Sequence, residues 1–260
     1  MIRLVTRGDD AGSSKSANRA IHAAAKKGIL RNASVLAPGP SVNHAAKVLG
    51  GLVKSGEICV GLHATATCEW EWPVWGPVLG ADDVPSLVDE RGLFHRTLEK
   101  LSEGDAPAGK VRADILAEVA AQLDRLRSLG LPVKYIDEHM GLGRIEGVGD
   151  GLARIAKREG LVFRPGLDHL PQPPAEGGEF EEDDNASRLI AALGCAAPGT
   201  YLVAGHPAFD DDEMARCHGA GKAEGEVGPA RDAERLMFMR EDVVAWCRDN
   251  DIRLLRYDEL

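Results

Sequence analysis

Five polar side chains of this 260-residue chain sit where short apolar runs end. Asp9 and Asp10 follow Ile2 to Thr6, and His63 closes Ile58 to Leu62. His139 follows Val133 to Ile136 by way of Asp137-Glu138, and His206 follows Tyr201 to Ala204. Asp10, His63 and His139 make a two-histidine, one-carboxylate set. Three such protein ligands leave further positions on a catalytic divalent cation open. Zinc or magnesium lead the expected metals, and iron, cobalt or nickel are compatible with the same donors. A cation held there polarises a carbonyl and lowers the pKa of its water. Asp9 is then the expected general base, and His206 the expected acid for a departing amine. Neighbouring side chains on an extended segment point to opposite faces, so Asp9 and Asp10 divide these tasks unless the chain bends.

Residues this far apart in sequence converge only if parallel strands bring their C-terminal ends to one face. The elements read that way. Strand-like runs at 2–6, 33–37, 58–63, 133–136, 161–164, 201–204 and 252–255 alternate with helical patterns. The helices are expected at 17–27, 43–49, 111–129, 151–159, 186–193 and 232–249, the first capped from among Ser13, Ser14 and Ser16. Ile115, Val119, Leu123 and Leu126 recur at helical spacing. About seven βα units in alternation imply an α/β fold, a TIM-like barrel of about seven parallel strands spanning 1–260 as a single domain. A long connection at 64–110 and a polar loop from Gln172 to Asn185 interrupt the pattern; a connection as long as the first is usually functional or mobile.

That long connection holds Trp70, Trp72 and Trp75 just after His63. They are candidates for a substrate-binding platform, the other reading being a loop pinned by buried indoles. Glu138 is a further substrate-side candidate, or support for a neighbouring histidine. The formal net charge of -10 disfavours nucleic acid and anionic membranes as partners. No apolar run is long enough to span a bilayer. Five scattered cysteines without a CxxC pair suit reduced thiols, and with no leader pattern at the N-terminus a cytoplasmic location is expected. A homodimer is the base-rate expectation for a soluble enzyme.

Arg7-Gly8-Asp9-Asp10-Ala11-Gly12, followed by Asn18, Ala20 and Ile21, resembles the opening of the YdjC-like carbohydrate deacetylases. Ala33-Ser34-Val35-Leu36 with Gly39-Pro40, Val60-Gly61-Leu62-His63, and Gly92-Leu93-Phe94 after Leu87-Val88-Asp89 are similar to that family in order and spacing. So are Tyr135-Ile136-Asp137-Glu138-His139 and Gly205-His206-Pro207. The resemblance implies a TIM-like barrel, a metal on Asp10, His63 and His139, Asp9 as base and His206 as catalytic histidine. It implies hydrolysis of an N-acetyl group from a small amino sugar or chito-oligosaccharide. Arg164 is similar to a site arginine of related deacetylases that orients the base, and is expected to serve Asp9. The chain departs from the family at Ala11, usually aromatic, and at Met140-Gly141, where further histidines are usual. Two other readings stand beside deacetylation: hydrolysis of another small amide or ester, a phosphoester included, and sugar binding without catalysis. A phosphate site favours clustered Arg or Lys or a glycine-rich helix start, whereas residues 7–12 bring two carboxylates.

Overall fold

A computed structural model describes residues 1–104, 106–171 and 184–260. The expected polar loop at 172–185 therefore lies almost wholly outside the described residues.

The chain opens with β1 (Ile2–Ala11), α1 (Lys15–Lys27), β2 (Asn32–Val35), α2 (Val42–Lys54) and β3 (Cys59–Ala64). The long connection follows, carrying β4 (Trp70–Trp72) and α3 (Leu98–Glu103), and leads into α4 (Ala108–Ser128). Then come β5 (Tyr135–Glu138), α5 (Val148–Glu159), β6 (Val162–Phe163), β7 (Asp168–His169), α6 (Asn185–Cys195) and β8 (Gly199–Gly205). The chain closes with β9 (His218–Gly219), α7 (Val227–Met239), α8 (Glu241–Asp249) and β10 (Arg253–Leu255).

Seven strands run in the order β6-β5-β3-β2-β1-β8-β7, every pairing parallel, and β10 also pairs with β1. The curled parallel sheet with helices against it is the expected TIM-like α/β architecture. β1 is its spine. One edge of β1 pairs with β8 from Ile2 to Gly8; the other pairs first with β10 at Arg3–Val5 and then with β2 at Arg7–Ala11. Among the described residues no pairing joins β6 to β7, so the sheet stays open at that seam.

The period-two geometry of strands sorts side chains between two environments. Val5, Cys59, Tyr135, Leu255 and Tyr257 pack together inside the curl. Leu4, Ala33, Val60, Leu62 and Ile136 face outward into the larger core beneath the helices. α1 shows why its sequence is helical there. The Ser14 hydroxyl accepts from the Ala17 amide at 3.0 Å, and Ala17, Ala20, Ile21 and Ala24 form one buried stripe.

Short strands β4, β7 and β9 and helix α3 lie outside the sequence expectation, and three further differences bear on how the chain is held. β1 continues five residues past Thr6, because β2 and β8 supply partners up to its C-terminal end. The single helix expected at 232–249 is two, α7 and α8, with extended backbone at Arg240 (φ -60°, ψ 137°) between them. The long connection is tied down by polar groups of α4. Glu118 accepts from the Val78 and Leu79 amides (2.8 and 3.1 Å), and Gln122 holds both backbone groups of Thr65. Buried carboxylates and amides satisfied in this way fix an irregular loop as a helix cap fixes a helix end.

Gly61 is set by the interior. A Cβ there would lie 2.3 Å from the ring of Tyr135, a fully buried side chain inside the curl. Gly61→Ala is expected to destabilise the fold by about 1–3 kcal/mol through overpacking. Urea unfolding of the variant checks this; an unchanged midpoint would show that the interior yields without cost.

Candidate metal centre

Alternation along β1 puts Val5, Arg7 and Asp9 inside the curl, and by the same rule Asp10 should point away. The strand breaks the rule. The β1–β2 register shifts between Gly8 and Ala11, and Asp10 has φ +63°, in the left-handed region. An irregularity of this kind re-aims a side chain, and here both carboxylates end buried on the same side of the sheet's C-terminal rim. On β3, Cys59, Gly61 and His63 share the inner face. On β5, Tyr135 and Asp137 do, with His139 one step beyond.

Asp10 Oδ1 lies 3.5 Å from His63 Nε2 and 3.5 Å from His139 Nδ1, and the two nitrogens are 3.4 Å apart. The centre of that near-equilateral triangle is about 2.0 Å from each atom, the length of zinc–nitrogen and zinc–carboxylate bonds. Asp10 Oδ1 is buried without a hydrogen-bond partner. A buried anionic oxygen left unpaired is costly, so the donor set fits a cation at this point.

Each ligand is oriented by a further group. His63 Nδ1 lies 3.1 Å from Asp137 Oδ1, and a proton donated there leaves the Nε2 lone pair facing Asp10. His139 is held the other way round, with Nε2 2.9 Å from Glu69 Oε2 and Nδ1 toward Asp10. Asp10 Oδ2 faces Arg231 Nη1 at 3.3 Å. Trp75 packs edge-on against the His139 ring, its indole nitrogen donating to the Thr67 carbonyl at 2.9 Å.

Asp9 accepts from Arg7 through both oxygens, Nε at 2.7 Å and Nη2 at 2.8 Å. The same guanidinium lies 3.0 Å from Asp137 Oδ2, which also accepts from the Ser34 hydroxyl. Asp9, His63 and Asp137 also lie close enough to share an ion, but Arg7 already stands between the two carboxylates. Around the ligands, Asp9, Asp10, Glu69 and Asp137 face Arg7 and Arg231. That balance leaves two formal negative charges, which a divalent cation cancels. Burial raises the Asp9 carboxyl above its ordinary range despite Arg7. Burial opposes ionisation of Asp10 too, but His139 and Arg231 hold it well below that range. His139, against burial, is pushed up to about 10 by Asp10 and Glu69. The two shifts are the two sides of one pairing: the cationic neighbours lower Asp10, and the carboxylates raise His139.

The other expected residues fall as follows. His206 is 42% exposed, its Nδ1 3.4 Å from Glu234 Oε2, and it lines a small cavity with Asp10, Trp70, Trp72 and Arg231. Arg164 does not reach Asp9. It pairs with Glu138 at 2.6 Å, and the guanidinium on Asp9 is Arg7's. Glu138 points away from the histidines and also accepts from the Gly143 amide. Both line a separate cleft of about 420 Å³ at the open seam. Trp75 is buried beneath His139 rather than presented to the solvent side. Arg7 and Asp137 were detectable from sequence, each two residues before a candidate on the same strand face. Glu69 and Arg231 carry no such signal, since a loop and α7 deliver them.

Glu69→Ala and Asp137→Ala are each expected to weaken zinc binding about 10- to 100-fold while the fold is kept. Competition against a chromophoric chelator, with circular dichroism alongside, measures both. Wild-type affinity in the two variants would show that these carboxylates do not orient the histidines.

Comparison with known proteins gives the family. The family model described as YdjC-like protein matches residues 3–249. A carbohydrate deacetylase of Geobacillus stearothermophilus is 36% identical over 218 residues, 81% of each chain. One from Thermoanaerobacter pseudethanolicus is 27% identical over the full length of both. A chitooligosaccharide deacetylase of Klebsiella pneumoniae is 26% identical over 81% of this chain and 83% of its own. Among solved structures, an Enterococcus faecalis protein whose name refers to cellobiose-phosphate cleavage superposes with a TM-score of 0.76 at 20% identity, covering 99% of this chain and 98% of its own; that likeness is one of fold. With the matched region running from the start of β1 to the end of α8, this chain belongs to the YdjC-like protein family.

Proposed function

We propose that the protein is a metal-dependent carbohydrate deacetylase that cleaves an N-acetyl group from a small amino sugar or chito-oligosaccharide. The observation that carries the reading is the buried, unpartnered Asp10 Oδ1, 3.5 Å from two imidazole nitrogens. The names of the relatives give the substrate class. Asp10, His63 and His139 hold the cation, and two imidazole donors favour zinc over magnesium, which prefers oxygen. Such a cation supplies Lewis-acid polarisation of the amide carbonyl.

The protein's own groups do the remaining work. Asp9 takes a proton from the attacking water, its carboxylate aimed by the paired contacts to Arg7. His206, beside Glu234, protonates the departing amine nitrogen, whose loss completes the cleavage. The products are the free amine and acetate. The seam cleft beside Asp137 offers Glu138, Arg164 and His169 to sugar hydroxyls, with Phe163 and Tyr257 as flat apolar surfaces. No helix among the described residues is long and apolar enough to cross a membrane.

Acetate release from N-acetylated mono- and disaccharides, by chelated protein re-loaded with one divalent metal at a time, tests the reading. Zinc-dependent acetate is the expected result. Absence of acetate with every metal, from protein that binds metal, would overturn it. Asp9→Asn is expected to keep wild-type zinc affinity and lose about 10²- to 10⁴-fold in kcat, the usual worth of a positioned base. Undiminished turnover in that variant would remove Asp9 from the role.

A further inference from the structure

The small cavity beside Asp10 differs in kind from the seam cleft. Its volume is about 20 Å³, against about 420 Å³ for the cleft. Its walls are mainly apolar, with Trp70, Trp72, Met214 and Val227 among them, and Asp10, His206, Arg231, Ser13 and Ser14 line it as well. Asp10 and His206 are the ligand and the acid that flank the bond to be cleaved. A space of this volume holds about one water-sized group, which is also the size of a methyl.

The walls are fixed. β4 pairs with β9, and a Cβ on Gly219 would lie 2.5 Å from the Glu71 amide, so the two strands are in close contact. Trp72 is covered by the Arg216 guanidinium at 4.3 Å from its ring, and Arg231 lies 5.8 Å from the ring of Trp70. Met214 and Val227 are buried. Trp70, Met214 and Val227, all buried, have little room to retreat before a longer chain, while Trp72 is half-buried under Arg216.

The geometry points to this cavity as the acyl subsite, one that admits the methyl of an acetyl group and rejects longer acyl chains. The inference rests on the deacetylase reading and deepens it. Trp70 and Trp72 then serve the acyl end of the substrate, and the sugar lies toward the seam cleft. One methylene at a fitted apolar pocket changes specificity about 10- to 200-fold.

Two measurements on the zinc-loaded protein test it. The first is kcat/KM for N-acetyl, N-propionyl and N-butyryl glucosamine disaccharides. The expected result is a fall of at least about tenfold from acetyl to propionyl. In Val227→Ala the propionyl-to-acetyl ratio should rise, and in Val227→Phe acetyl turnover should fall. Equal rates across the wild-type series, or a ratio that Val227→Ala leaves unmoved, would overturn the inference. The second is binding of acetate, propionate and butyrate, read by tryptophan fluorescence, which requires no turnover. Acetate binding about tenfold tighter than butyrate supports the acyl subsite even if no N-acyl sugar is cleaved, and in that outcome the deacetylase reading alone fails. Equal affinities, or no acetate binding, would overturn the subsite.

Discussion

The arrangement depends on the placement of Arg7 between Asp9 and Asp137. Two carboxylates buried at one rim repel each other in a medium that screens poorly, and neither can stay ionised without a cation beside it. One guanidinium meets both, through planar contacts of 2.7 to 3.0 Å. With that repulsion removed, Asp137 is free to hold His63, and His63 to face Asp10. Arg7 is itself held inside the curl, where its Nη1 donates to the Tyr257 hydroxyl at 3.3 Å. The C-terminal end of the chain thus takes part in arranging residues close to its start.

Two layers of order meet at this rim. The parallel sheet supplies positions, since its strands deliver Asp9 on β1, His63 on β3 and Asp137 on β5 to one face of the C-terminal rim. His63 and Asp137 are themselves a register pair of β3 and β5. The connections supply the remaining groups. The loop before β4 brings Glu69, and α7 brings Arg231. The loop has to be rigid for this, and the buried Glu118 and Gln122 on α4 make it so. A helix that reads as amphipathic through Ile115, Val119, Leu123 and Leu126 therefore also organises the active face with its buried polar residues.

The sequence disclosed the barrel class and the meeting of Asp9, Asp10, His63 and His139, because period-two strands and strand-end polar residues are local signals. It did not disclose how long β1 is, since its last residues carry charge and stay in the sheet only because β8 pairs as far as Gly8 and β2 as far as Ala11. The partner of Asp9 was misplaced on Arg164 for a related reason. Arg164 also ends a strand, but it stands at the open seam and meets Glu138 instead. Trp75 looked like its two neighbours in the sequence and differs from them in what it meets, the His139 ring rather than the small cavity, which depends on how the loop folds. Glu69 and Arg231 depend on tertiary packing altogether.

The left-handed backbone at Asp10 restricts what this position can become. Two independent filters act on it. The φ of +63° favours glycine, asparagine and aspartate and penalises branched side chains. The metal role proposed above adds a second filter, an ionised oxygen at the reach of a single methylene. Glycine satisfies the backbone and offers no donor, asparagine satisfies the backbone without the charge, and glutamate keeps the charge but overshoots by a carbon. Aspartate alone passes both filters. Under the proposed role the residue can be exchanged only together with a rebuilt turn, whereas no other residue lining the neighbouring cavity has left-handed backbone, so those side chains can change one at a time without it.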